Sequence, residues 1–211
     1  AGSPGPQALR WAQEVHAAAG VSGGFVVHIG DIGERSAALR TSDRYYIQGL
    51  SPDENVVRTA RDAIHALGCY GPVTAARYDG KRLPHIAELV NLLVIDGPIP
   101  ALNEAEMLRV LAPQGVALIR AGDQWKRVEK PWPKDIDQWT HYLYDPSNNA
   151  VAKDERIGPP RRLRWTAGPM WTRHHDRTSS ISCVVSAAGR LFHIIDEGSP
   201  HSPMLPSQWR L

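Results

Sequence analysis

The chain has 211 residues, 42% of them hydrophobic and 22% charged, with a net charge of +2. That length suits one large domain, or a medium domain with an appendage, and the composition is that of an ordinary globular protein. No stretch approaches the roughly 18 to 20 consecutive apolar residues of a bilayer span, so no membrane insertion is expected, and so small a net charge gives no footing for nucleic-acid binding.

Cys69 and Cys183 stand far apart and form neither a disulfide framework nor a metal cluster, so no metal site is expected. The opening AGSPGPQ lacks an initiating Met, which suggests a processed or excised terminus with any targeting segment already missing.

From Gln7 to Ala19, Leu9, Val15 and several alanines recur at helical spacing and Gly20 follows, which predicts a leading helix closed by a glycine cap. GFVVHI (24–29) is a short apolar run of the kind buried in parallel sheets. A loop with Gly30 and Gly33 follows, then a short helix from Glu34 to Arg40 and a second strand, RYYIQGL (44–50). The clearest helix comes next, with Ser51 as N-cap, Pro52 at the first helical position, Asp53 and Glu54 in the first turn, and Gly68 at its end. VTAARY (73–78) predicts a third strand, LPHIAELV (83–90) a short helix or turn, and NLLVID (91–96) a strongly apolar fourth strand. NEAEMLRVL (103–111) predicts a helix stopped by APQG, and VALIR (116–120) a fifth strand. Short apolar strands alternating with helices specify an α/β fold, a doubly wound parallel sheet covered on both faces.

Ligands in such sheets bind outside the carboxyl ends of the strands, where Asp96, followed by Gly97 and Pro98, is the best-placed acid. Gly30 and Gly33 permit the sharp strand-to-helix turn of a ligand cradle, and the same turn needs them with no ligand at all. His28 at a strand end fits a satisfied core or rim histidine as well as a site residue, and Asp79 before Gly80 fits a plain turn.

In this order, VVHIGDIG, RYDGKRLP, NLLVIDG and EMLRVLAPQGVALI resemble class I S-adenosylmethionine-dependent methyltransferases over roughly residues 7–122. The resemblance implies a Rossmann-like sheet, S-adenosylmethionine as cofactor, and methyl transfer to an acceptor it does not specify. It implies His28, Gly30, Asp31 and Gly33 as the cofactor loop, Ser51 at the ribose position, Asp79 facing adenine, and Asp96 beside the cofactor. No catalytic residue is identified, because in-line positioning alone serves methyl transfer. The loop departs from the family's acid-x-Gly-x-Gly-x-Gly: His28 stands in the acid's place and Ile32 in that of a middle glycine. The ribose carboxylate is missing at residues 49–51, with Asp53 arriving two residues later on the next helix. A second expectation therefore stands beside the first, a non-catalytic binding or scaffold module with a degenerate cofactor site.

Beyond Gly122 the character changes. Residues 123–180 hold five of the seven tryptophans and prolines at 131, 133, 146, 159, 160 and 169, which predicts a linker (123–159) passing into β structure (160–211). SISCVVSAAGRLFHIIDEG (180–198) predicts a hairpin turning at residues 187–189. DQWTHYLYDPSNNAVA, GPPRRLRW and RHHD resemble bacterial proteins with a PQQ-like β-propeller, one group of which carries a methyltransferase-like domain ahead of the propeller. The resemblance implies that residues 160–211 begin a first blade. The chain is then expected to be a fragment or part of an assembly, with the remaining blades or a partner chain covering the β-rich tail.

PQQ itself is not expected on one blade. His174 and His175, adjacent on a strand, would point to opposite faces and not chelate one ion. Arg161, Arg162 and Arg164 fit a solvated strand edge, with contact to an anion as the alternative. The propeller resemblance implies a periplasmic or exported protein, whereas an active S-adenosylmethionine enzyme would be cytoplasmic, where that cofactor is made.

Overall fold

The computed structural model describes residues 2–97, 102–156 and 181–196, with positions 158, 159, 163, 166, 198, 209 and 210. The basic cluster Arg161, Arg162 and Arg164 and the His174–His175 pair lie outside the described residues. The chain divides into two compact units, Ala1–Trp132 and Pro133–Leu211.

In the first unit, helix α1 (Pro6–Ala19) starts on a proline and ends where Gly20 turns left-handed at φ 67°. It buries Ala8, Trp11, Ala12, Val15 and Ala19, one face at helical spacing. The chain continues through β1 (Gly24–Ile29), α2 (Glu34–Ala38), β2 (Tyr45–Ser51), α3 (Glu54–Ala66) and β3 (Val73–Arg77). It then forms β4 (Val90–Ile95), α4 (Glu104–Val110), β5 (Leu111–Ala121) and β6 (Gln124–Glu129). The sheet order is β3-β2-β1-β4-β5-β6, with β1 to β5 parallel and β6 antiparallel to β5. Successive residues of the central strands face opposite layers. Val26 and Leu92 join Trp11, Val15, Leu39 and Ile64 on one side, while Val27 and Leu93 join Leu83, Met107 and Val110 on the other. The predicted doubly covered, mostly parallel sheet is therefore present.

Several elements differ from the sequence-based expectation. Ser51 is the last residue of β2, and Asp53 caps α3 by accepting a hydrogen bond from Asn55 N at 2.8 Å. Residues 83–89 form turns, and Arg109 of α4 ties them down by donating to the carbonyls of His85 (2.7 Å) and Leu83 (3.0 Å). Strand β6 lies in the range read as linker and adds an edge to the sheet. It shows no alternating pattern: only Trp125 and Val128, three residues apart, are half-buried, and they pack on opposite layers.

The second unit contains β7 (Ile181–Ala187) and β8 (Arg190–Asp196), an antiparallel hairpin, with β9 (Trp209–Arg210) paired to β8. Its two-residue turn has Ala188 at φ 48° and Gly189 at φ 73°, the twist a tight hairpin prefers. Trp139 N donates to Ser186 Oγ (3.1 Å) and Ser186 N to the Trp139 carbonyl (2.7 Å), so the WTHYLY region is fastened to this hairpin. The described residues of this unit form that small sheet and no propeller. Both cysteines are free. Among the described residues no helix is long and apolar enough to cross a membrane, and no three His, Cys, Asp or Glu side chains cluster as metal ligands.

Candidate functional site

The strand order reverses at β1, which pairs with β2 on one side and β4 on the other, so the carboxyl ends of β1 and β4 flank the crevice typical of ligand sites in open α/β sheets. Ile29 leads there into Gly30, and Ile95 into Asp96, whose backbone N donates to the Ile29 carbonyl at 2.8 Å. Gly30 has φ 140°, and a Cβ on it would lie 2.4 Å from the Asp96 carbonyl oxygen. Gly33, at φ 109°, faces α3, where a Cβ would come within 3.3 Å of Ala60 Cα. The space that both glycines open is filled by the protein's own backbone.

The residue between them behaves likewise. Ile32 is 7% exposed and packs on β2, where a Cβ on Gly49 would lie 2.9 Å from Ile32 Cβ. Its side chain is thus packed down against β2 and largely withdrawn from solvent.

His28 is fully buried, with Nδ1 hydrogen-bonded to Ser36 Oγ at 2.9 Å and its ring 5.0 Å from that of Trp11. Burial, helped by the Arg35 charge, lowers its pKa to about 3, so the imidazole is neutral near pH 7. It offers the crevice no charge.

The charged residues at this edge are bound to one another. Arg35, in α2, donates through Nη1 to Asp96, and its Nε lies 3.3 Å from Asp31. The guanidinium also sits over the Trp11 ring, 5.3 Å from its centroid. Asp96 is only 11% exposed in its side chain, Arg35 27% and Asp31 72%. Asp31 and Arg35 line a groove of ≈ 720 Å³ between the first turn of α1 and the face of α3 that carries Asn55 and Thr59.

Ser51 is buried, and its Oγ accepts from Asp53 N at 3.2 Å, while Asp53 caps α3. Asp79 is exposed after β3, two strands and about 10 Å from β1. Its Oδ1 accepts from Arg82 N and Lys81 N, both at 2.8 Å, and these bonds hold the carboxyl below its usual range. The structure therefore brings Gly30, Asp31 and Asp96 together around Arg35, and leaves Asp79 in a turn of its own. Sequence reasoning missed Arg35. Its i, i+4 spacing from Asp31 was a usable signal; its meeting with Asp96, 61 residues away, was not.

No protein-family model matches the chain, and no curated protein matches it. Among solved structures it is similar to a putative S-adenosyl-L-methionine-dependent methyltransferase from Methanococcus maripaludis, at 20% identity and TM-score 0.49 over 54% of this chain and 55% of that one. It is also similar to the [4+2]-cyclase SpnF, at 23% identity and TM-score 0.45 over 53% of this chain and 43% of that one. A geranyl diphosphate methyltransferase in complex with S-adenosylmethionine matches at 15% identity and TM-score 0.44 over 53% and 48%. The chain spans about half the length of these proteins. By its own strand order, β3-β2-β1-β4-β5-β6, the first unit is an α/β fold with a mostly parallel central sheet.

At this edge, then, the end of β2 carries a buried hydroxyl in Ser51, His28 is held neutral by burial, and Asp96 is paired with Arg35.

Proposed function

We propose that this chain is a methyltransferase-like protein whose first unit serves as a non-catalytic binding or scaffold module, its S-adenosylmethionine site degenerate. One observation carries the reading: the polar groups at the carboxyl edge are spent on the protein itself, Asp96 and Asp31 on Arg35, and Ser51 and Asp53 on the start of α3. Losing one charge-assisted contact costs about 1.5–3 kcal/mol, or roughly ten- to a hundred-fold in affinity, and here two are lost. Calorimetric titration of the whole chain with S-adenosylmethionine and S-adenosylhomocysteine tests it. No saturable binding below the millimolar range is expected, and micromolar binding overturns the reading.

A second reading, S-adenosylmethionine-dependent methyl transfer to an unspecified acceptor, is favoured by the strand-order reversal that gathers the ends of β1, β2 and β4 at one edge. In it Gly30, Asp31 and Gly33 meet the methionine end, Ser51 the ribose, Asp79 the adenine, and Asp96 flanks the cofactor; His28 acts beneath them as a buried prop. Replacing Asp96 with alanine would then weaken the binding.

For the second unit the reading is the start of a PQQ-like propeller in an exported bacterial protein. It is supported by the tight hairpin and by apolar residues left open on it, among them Leu191 at 49% and Phe192 at 46% exposure. Further blades or a partner chain would cover them.

A further inference from the structure

We propose that Arg35 is the residue that decides which ligands the switch-point crevice accepts: its guanidinium is a built-in occupant of a cation subsite formed by Asp96. The inference deepens the reading of an occupied, degenerate site and rests on it.

The geometry is that of a plug. Arg35 lines the groove of ≈ 720 Å³ beside the loop and is 27% exposed in its side chain, while the Asp96 carboxylate that it binds is only 11% exposed. It is held there by three partners at once: Asp96 through Nη1, Asp31 through Nε, and the face of Trp11. Asp96 in turn is fixed through its backbone to the end of β1, so it presents its carboxylate from a rigid element. The groove beyond has a floor of Ala8, Ile32, Ala60 and Ala63 and acidic groups in Asp31 and Glu34. Glu34 also accepts from Gly5 N at 2.6 Å, which anchors the wall that α1 provides.

An apolar floor with exposed carboxylates in Asp31 and Glu34, and Arg35 beside it holding the buried Asp96, suits an organic cation, an ammonium or sulfonium carried on a flat or aliphatic body. Arg35 now satisfies that carboxylate. A ligand cation competes with a charge that the chain supplies at no cost in translational freedom, and it loses.

The test compares the parent protein and Arg35→Met by calorimetry at low salt, using S-adenosylmethionine, which carries a sulfonium charge, and S-adenosylhomocysteine, which does not. The variant should bind the sulfonium ligand at least about tenfold more tightly than the parent does, with a smaller gain for the uncharged one. Adding Asp96→Asn should remove the gain. If Arg35→Met gains nothing, or gains equally for both ligands, Arg35 is not a charge plug and the proposal fails. Should that variant not fold, Arg35→Lys serves, because an ammonium cannot hold Asp31 and Asp96 through separate planar nitrogens. An unchanged preference between the two ligands in Arg35→Lys then overturns the proposal. Micromolar binding by the parent would instead overturn the reading of a degenerate site, so the two failures are separable.

Discussion

At the scale of single residues, Ile32 and His28 show how a loop of cradle-like sequence is used for folding. A glycine at position 32 would be wanted by a close-approaching ligand, but Ile32 packs between β2 and the rest of the core and stays 7% exposed. Ile32→Ala should therefore destabilise the protein by about 2–4 kcal/mol in chemical denaturation, through lost burial and a partly uncollapsed cavity. An unchanged midpoint would return this side chain to the list of candidates for ligand contact. His28 makes a second demand. Its folded pKa of about 3 lies below the unfolded value of about 6.5, so its contribution to stability is whole above pH 6.5 and drains away as the pH falls toward 3. Between pH 6.5 and pH 5 the loss from this group is about 2 kcal/mol, and His85, lowered to about 4 by burial and by Arg109, acts in the same direction. Denaturation midpoints should fall over that interval, and His28→Gln should flatten the slope. The glycines and the histidine were visible in the sequence. That each faces protein and not ligand was not, because it depends on Asp96, Ala60 and Ser36 arriving from other parts of the chain.

Among the elements, apolar runs between glycine and proline stops located β1 to β5 to within a residue or two, with β5 starting earlier than expected, since buried parallel strands must be apolar on both faces. Caps were harder. SPDEN holds two competent side chains, Ser51 and Asp53, and the choice falls to Asp53 because Ser51 is still paired in the sheet opposite Arg77. Asp53→Ala should cost about 1 kcal/mol, more than Ser51→Ala, as measured by the shift in thermal midpoint. The reverse ranking would move the start of α3 back to Ser51. Strand β6 was missed for a related reason: as an edge strand, QWKRVE carries Lys126, Arg127 and Glu129 toward solvent and so looks like linker.

For the whole molecule, β6 decides where the first unit can be cut. Its ladder with β5 runs from Val116–Glu129 to Ala121–Gln124, and Trp125 packs against the core with its ring 6.4 Å from that of Trp11. A fragment of residues 1–132 should therefore unfold in one cooperative transition, because it keeps both hydrophobic layers and the covering strand. A fragment of residues 1–122 loses Trp125 and bares the inner edge of β5, and should be less stable by at least about 2 kcal/mol and more prone to associate. The sheet of β7, β8 and β9 has less reserve, since β9 is only two residues long and Leu191, Phe192 and Ile194 stand open to solvent on β8. Limited proteolysis of the full chain should accordingly cut beyond Trp132 first and leave a resistant core ending near that residue. A first cut inside residues 6–129, with 181–196 protected, would mean that the stable body of this protein is the β-rich unit and that the sheet depends on it.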